Sequence, residues 1–118
     1  MNPQQFAQEW AASWNRRHIE EVLAHFHDDI VFTSPTALAV TGSAVVKGKA
    51  ALRTYWTTAM ARIQSIQFDV DRVLWDAGRR ELAIIYTAHI NGATRKVSEN
   101  LVFDDVGLVT TAEVFHGA

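Results

Sequence analysis

Apolar side chains recur with helical spacing in three segments of the first 63 residues. In the first segment Phe6, Trp10 and Trp14 lie four residues apart. Asn2 and Pro3 precede them and are favoured as the N-cap and the first residue of a helix. The same spacing predicts a second helix at about 18–27 and a third at about 49–61. Their apolar positions are Ile19, Val22, Leu23 and Phe26, and Leu52, Tyr55, Trp56, Ala59 and Ile63.

The segment between the second and third helices is less regular. Residues 30–35 predict a short strand that must stop at Pro35. Residues 36–48 are rich in Thr, Ala, Ser and Gly, and we expect a loop there with at most one short strand.

Alternating apolar and polar positions dominate the rest of the chain. They predict strands at about 64–76, 80–90, 95–104 and 108–117, separated by Ala77-Gly78, by Asn91-Gly92 and by a turn over 104–107. In the first of these strands the apolar parity changes after Val70, which predicts a bulge near Arg72. Helices followed by four sequential antiparallel strands indicate an α+β fold, with a bent sheet that packs one face against the helices.

Composition excludes several classes of protein. A chain of 118 residues with 48% apolar and 20% charged residues predicts one globular domain over residues 1–118. A net charge of −2 without a basic cluster argues against binding nucleic acid. The chain has no cysteine, no apolar run of membrane-spanning length and no signal-peptide pattern, so we expect a cytoplasmic protein that neither contains disulfides nor enters membranes. Its five histidines lack ligand spacing, and we expect neither a metal nor a cofactor.

Several short stretches occur in an order that resembles one superfamily. They are Trp14-Asn15, residues 26–29, the sequence Phe32-Thr33-Ser34-Pro35, residues 48–53 and residues 103–107. In this order the chain resembles the nuclear transport factor two-like superfamily, and within it the SnoaL-like and ketosteroid-isomerase-like proteins. The resemblance implies a cone-shaped, strongly curved antiparallel or mixed sheet wrapped around N-terminal helices. The implied order is α-α-β-α-β-β-β-β, and the fold encloses one pocket.

Ketosteroid isomerases use an aspartate base before the proline of the first strand, together with a tyrosine and a protonated aspartate that bind an oxyanion. Carried over by position, these roles fall on Ser34, Trp10 and Glu99, and only Glu99 keeps a carboxyl group. A serine does not accept a carbon-bound proton near neutral pH without a partner base. Steroid isomerisation by that mechanism is therefore not expected.

Glu99 is also the first candidate catalytic residue when the alternation of apolar and polar positions is considered without the resemblance. Period two places it on the same strand face as Val97, Leu101 and Phe103. If that face is the core, burial raises the pKa of the carboxyl group and makes it an acid or a hydrogen-bond donor near pH 7. The alternatives are that this face points elsewhere or that Glu99 pairs with Arg95 or another basic residue.

His116 is the second catalytic candidate, because histidine titrates near neutral pH. If the turn over 103–107 pairs Glu99 with Ala112, then Ala112, Val114 and His116 face inward. Four residues along a strand is roughly 13 Å, so we do not expect a direct Glu99–His116 pair. The alternative is a half-solvated histidine at the sheet edge.

Parity and resemblance together give a set of candidate substrate-binding residues. Tyr86 shares the inward parity of Leu82 and Ile84, although its hydroxyl could instead bond a backbone group. Ser34 also faces inward and is expected to hydrogen-bond a ligand rather than to act as a nucleophile. The resemblance places three aromatic residues around the pocket mouth. The complete set is Trp10, Phe32, Ser34, Trp56, Tyr86, Leu101, Ala112 and Val114.

The opposite face of the sheet is predicted to be unusually apolar. It would carry Ala83, Ile85, Thr87, Val102, Val109 and Phe115. Such a patch normally marks a partner, and we expect a homodimer through this face. Two functions remain open for the pocket. One is an isomerase, cyclase or lyase that acts on a small apolar carbonyl compound. The other is a non-catalytic module that binds an apolar ligand or only assembles as a dimer.

Overall fold

A computed structural model describes residues 1–118 as four helices and six strands. The helices are α1 (Pro3–Asn15), α2 (Ile19–Leu23), α3 (Pro35–Thr41) and α4 (Lys49–Ala61). The strands are β1 (Phe26–Thr33), β2 (Val45–Lys47), β3 (Ile66–Asp76), β4 (Glu81–Ile90), β5 (Ala93–Phe103) and β6 (Val109–His116). None of the helices has the length and apolarity that a bilayer crossing requires.

All six strands belong to one curled, unclosed sheet in the order β2-β1-β6-β5-β4-β3. Strands β3 to β6 pair antiparallel with their sequence neighbours, as the alternation predicted. Strand β1 runs parallel to β6 and pairs antiparallel with β2, so the sheet is mixed. The α+β class and the curved sheet around N-terminal helices are therefore confirmed.

The first and last helices form where the spacing predicted them. The Asn2 side chain caps α1 by accepting from the backbone N–H of Gln5 at 3.0 Å, and Pro3 occupies the first position. The apolar stripes of both helices are buried in a common core with the inner face of the sheet. Their buried apolar residues are Ala7, Trp10, Ala11 and Trp14 in α1, and Leu52, Tyr55, Trp56 and Met60 in α4.

The second predicted helix extends too far. Helix α2 ends at Leu23, and Phe26 begins β1 opposite Val109. Phe26 lies four residues after Val22, which fits helical spacing. However, the N–H of Val109 donates to the carbonyl of His25 at 2.8 Å, so the sheet supplies the backbone partner there. Tertiary pairing overrides local spacing at this point.

Residues 36–48 contain a helix that the sequence did not predict. Ser34 caps α3 by accepting from the N–H of Thr36 at 3.2 Å, and Pro35 is its first residue. The helix ends at Gly42, whose φ of +84° is the left-handed conformation that glycine adopts readily. Pro35 does end the strand as predicted, but it also starts a helix. The short strand expected in this segment is β2.

The parity change in β3 is a bulge, as predicted. Val70 pairs with Tyr86 and Arg72 pairs with Ile85, which leaves Asp71 as the extra residue.

The predicted register between β5 and β6 is wrong by two residues. Glu99 pairs with Val114, and Ala112 pairs with Leu101. A second irregularity lies between Val102 and Phe103, where one additional residue of β6 shifts the parity. Val109 is therefore fully buried in the core and does not belong to the outer face, in contrast to the prediction.

Candidate ligand-binding and active site

A cavity of about 440 Å³ lies between the curved sheet and helices α1, α3 and α4. Most of the residues that line it are hydrophobic, and its size falls within the roughly 300–1,000 Å³ of small-molecule sites. Seven of the candidate residues lie on its wall. They are Phe32, Ser34, Trp56, Tyr86, Glu99, Val114 and His116.

Three candidate residues lie in the packed core and not on the cavity wall. Trp10 is 2% exposed, stacks on Phe68 at 5.6 Å between ring centroids and contacts Tyr86 edge-on. Leu101 and Ala112 are paired with each other and are also buried. The cavity follows the Ala93–Glu99 half of β5. Beyond Glu99 the inward side chains of β5 are buried in the core, where the ring of Phe103 packs against Phe6 with 5.3 Å between ring centroids.

Glu99 is a buried carboxyl group without a cationic partner. It is 5% exposed, its strand neighbours are Ile84 and Val114, and no lysine or arginine forms an ion pair with it. Tyr86 donates its hydroxyl to Oε1 at 3.4 Å, which is a long hydrogen bond. Burial raises the pKa of Glu99 to about 7, and the hydrogen bond from Tyr86 opposes this only in part. Glu99 is therefore present as both acid and carboxylate near neutral pH.

Tyr55 is a polar residue of the cavity that the sequence analysis assigned to ordinary core. It is 7% exposed and lines the cavity, and its hydroxyl has no hydrogen-bond partner in the protein. Burial, and next the negative charge of Glu99, raise the pKa of Tyr55 to about 12. The phenol therefore stays protonated and can donate to a ligand. The sequence feature that could have indicated this role is a tyrosine at an inward position of α4, next to Trp56.

Ser34 is buried on the cavity wall at the start of α3. Its hydroxyl oxygen accepts from the N–H of Thr36, and it contacts neither a histidine nor a carboxylate. This supports a ligand hydrogen bond and gives no basis for a nucleophile.

His116 lies two positions from the strand partner of Glu99, so the two residues are diagonal neighbours, about 7–8 Å apart at Cα. Its Nδ1 lies 2.6 Å from Nη1 of Arg95. Arginine only donates, so Nδ1 accepts and the neutral ring carries its proton on Nε2. Desolvation, followed by the charge of Arg95, lowers the pKa of His116. In this arrangement His116 is a hydrogen-bond donor rather than a base.

The exposed residues of the lining mark the cavity opening. They include Thr36 of α3, Arg62 after α4, Asn91 in the β4–β5 turn, and Arg95. Asn91 fixes one side of this opening, because its Oδ1 accepts from the backbone N–H of Gln64 at 2.7 Å and of Ser65 at 3.2 Å.

No group of three or more His, Asp or Glu side chains lies close enough together to hold a metal ion.

Comparison with known proteins defines the family. The model of the SnoaL-like domain matches residues 7–113. The chain therefore belongs to the SnoaL-like family of the nuclear transport factor two-like superfamily. A search of curated proteins finds no match.

Solved structures share the fold over nearly the whole chain. A SnoaL-like protein of unknown function from Burkholderia thailandensis is 27% identical with a TM-score of 0.86, covering 98% of this chain and 94% of that one. A candidate SnoaL-like polyketide cyclase from Shewanella denitrificans is 12% identical with a TM-score of 0.78, covering 98% and 90%. A candidate ketosteroid isomerase from Kribbella flavida is 21% identical with a TM-score of 0.75, covering 98% and 78%.

Proposed function

We propose that the chain binds a small apolar carbonyl compound in this cavity and catalyses proton transfer beside the carbonyl group. The observation that carries the proposal is Glu99, a carboxyl group without a cation on the wall of an apolar cavity, with a pKa of about 7. An acid–base catalyst is most effective when its pKa lies near the working pH. An apolar wall selects an apolar substrate and keeps water away from the carboxyl group.

The proposed step is an enolisation. The Glu99 carboxylate removes a proton from the carbon next to the carbonyl, the C–H electron pair forms the C=C bond, and the negative charge moves to the carbonyl oxygen. The unpartnered Tyr55 hydroxyl donates a hydrogen bond to that oxygen. The protonated Glu99 then returns its proton, to the same carbon or to another.

Two classes of reaction begin with this step. Return of the proton to a different carbon is an isomerisation, and attack of the enolate carbon on a second carbonyl is a cyclisation. The names given to two fold relatives, a candidate ketosteroid isomerase and a candidate polyketide cyclase, correspond to these two classes.

Exchange of carbon-bound hydrogen for deuterium tests the proposal without knowledge of the substrate. A simple apolar ketone such as 2-nonanone is incubated with the protein in D₂O near pH 7, and exchange beside the carbonyl is followed by proton NMR. Glu99→Gln should abolish the protein-dependent exchange. Tyr55→Phe should reduce it by about 10²-fold, within the range seen for loss of one oxyanion donor.

The matched control is Glu113→Gln, which removes a carboxyl group from an exposed position on β6. This variant should exchange at the wild-type rate. Equal rates in Glu99→Gln and wild-type protein would refute the assignment of Glu99 as the acid–base group.

A second candidate function is binding without catalysis. It is favoured by Ser34, which stands where the ketosteroid isomerases have their aspartate base. In that case 2-nonanone binds, as shown by a change in tryptophan fluorescence, but no variant and no wild-type sample accelerates exchange.

A further inference from the structure

Two arginines at the cavity opening lack a carboxylate partner, whereas half of the eight arginines of this chain have one. Arg16, Arg53, Arg72 and Arg79 each form an ion pair with a nearby Glu or Asp. Arg62 and Arg95 line the cavity, are exposed, and pair with no carboxylate. The only acidic residue of the cavity lining is the buried Glu99. The opening therefore carries positive charge that the protein does not neutralise.

His116 adds a third donor to the same opening. Since its Nδ1 accepts from Arg95, the neutral ring presents Nε2–H as its remaining polar group. The hydrogen bond also holds the Arg95 side chain beside the ring. Arg62, Arg95 and His116 thus offer hydrogen-bond donors at one end of an apolar cavity, which is the arrangement that recognises an anionic oxygen group.

The spacing along β5 separates Arg95 from the acid–base group. Arg95, Val97 and Glu99 alternate on the inner face of the strand, and all three line the cavity. Four residues of strand place Glu99 roughly 13 Å from Arg95. A ligand that reaches both must have an apolar body between its two polar ends.

We infer that the natural ligand is an amphipathic anion: an apolar body with a carboxylate or similar group bound by Arg62 and Arg95 at the opening. The inference rests on the proposed function, in which the reacting carbonyl lies at the inner end beside Glu99. A neutral sterol-like or hydrocarbon ligand would leave both guanidinium groups without a role in binding.

A matched pair of ligands tests the charge directly. Octanoate and octanamide have the same apolar chain and differ in the charge of the head group, and their binding can be measured by calorimetry at pH 7.5 and low salt. Octanoate should bind at least tenfold more tightly, and its advantage should shrink as salt is added, because exposed charges are screened. Equal affinities would overturn the inference while leaving the proposed function intact.

Variants of the two arginines locate the anion. Arg62→Gln and Arg95→Gln should each weaken octanoate binding by about fivefold and leave octanamide binding unchanged, as expected for exposed ion pairs. Arg80→Gln is the control, since Arg80 is exposed, lacks a carboxylate partner and lies at the other end of β4. An octanoate preference that survives the double variant contradicts the inference. Failure of both ligands to bind would overturn the inference and the proposed binding function together.

Discussion

Glu99 shows two opposing effects on one carboxyl group. Its burial between Ile84 and Val114 disfavours the charged form, whereas the hydrogen bond from Tyr86 favours it. At 3.4 Å the bond is long and weak, and no cation assists it. Desolvation therefore prevails, and the pKa rises from 4.5 to about 7.

This shift predicts how stability depends on pH. The folded state keeps the Glu99 proton up to about pH 7, whereas the unfolded chain releases it near 4.5. The unfolded state thus binds fewer protons between these values, and the free energy of unfolding falls as the pH rises through that window. The loss is on the order of 3 kcal/mol. Urea unfolding of wild-type protein and Glu99→Gln at pH 5 and pH 7.5 measures it.

The Glu99→Gln variant removes the titrating carboxyl group and keeps the shape of the side chain. Its unfolding free energy should therefore change less between the two pH values, and near pH 7.5 it should equal or exceed that of the wild type. Identical pH dependence in both proteins would mean that Glu99 titrates normally in the folded state.

Period-two alternation was enough to predict that Glu99 faces inward, because a strand fixes the side of each residue. It could not separate cavity wall from packed core, since both lie on the same face. Leu101 and Ala112 were placed in the pocket for that reason, whereas Trp10, which lies on a helix, was placed there by the family resemblance. Tyr55 and Arg62 belong to α4 and its C-cap, and their place on the cavity wall depends on how that helix packs against the sheet, which alternation does not encode.

Helix α3 depends on its cap and its packing more than on its composition. It has seven residues, too few for a stable isolated helix, and it is rich in Thr, Val and Ala. The cap from Ser34 and the burial of Ala37 hold it against the sheet and α4. The burial of Ala37 is a tertiary contact that the sequence does not reveal, whereas the Ser34-Pro35 cap is a local signal of the same kind as Asn2-Pro3 in α1, and the loop prediction overlooked it.

Ser34→Ala should lower the free energy of unfolding by about 1 kcal/mol, because the N–H of Thr36 loses its acceptor. Ser34→Thr is the matched control, since threonine retains a capping hydroxyl, and it should stay closer to the wild type. Denaturant midpoints measure both. Equal losses in the two variants would show that packing at this position, and not the cap, determines stability.

The strand register was predicted less well than the strands themselves. Turn residues and alternation placed β3 to β6 within a few residues of their observed bounds. The irregularity beside Phe103 accounts for one residue of the two-residue offset between β5 and β6, and the position of the turn over 104–107 accounts for the other; a period-two pattern locates neither. Because of the same irregularity, Val109 lies in the core and not on the outer face, where it was predicted.

The outer face of the sheet remains partly apolar without Val109. Leu74 and Phe115 are 58% and 51% exposed, and Ile85 lies between them across the paired strands. We propose that a second copy of the chain covers this surface, because a closed two-fold dimer buries the same patch on both copies. Ser98 and Asn100 of β5 lie between Phe115 and the apolar residues of β4 and β3, and Glu113 lies beside Phe115 on β6.

Sedimentation at micromolar concentration should give twice the chain mass of 13.2 kDa. Phe115→Glu should shift the protein to the monomer, because it replaces a half-exposed apolar side chain of the proposed contact with a charged one. Glu113→Gln, on the same strand, should remain dimeric. A wild-type protein that sediments only as a monomer at these concentrations contradicts the proposal.

The parallel pairing of β1 with β6 has a consequence for the order of folding. Val31 pairs with Thr111, 80 positions later, and β2 joins the sheet only through β1. The β3–β6 meander can form from hairpins between sequence neighbours. The β1–β2 edge must wait for the last of those strands. During synthesis, residues 26–47 leave the ribosome well before β6 exists, so the β1–β2 pair must remain without its contacts to the rest of the sheet until β6 emerges and long-range closure completes the fold.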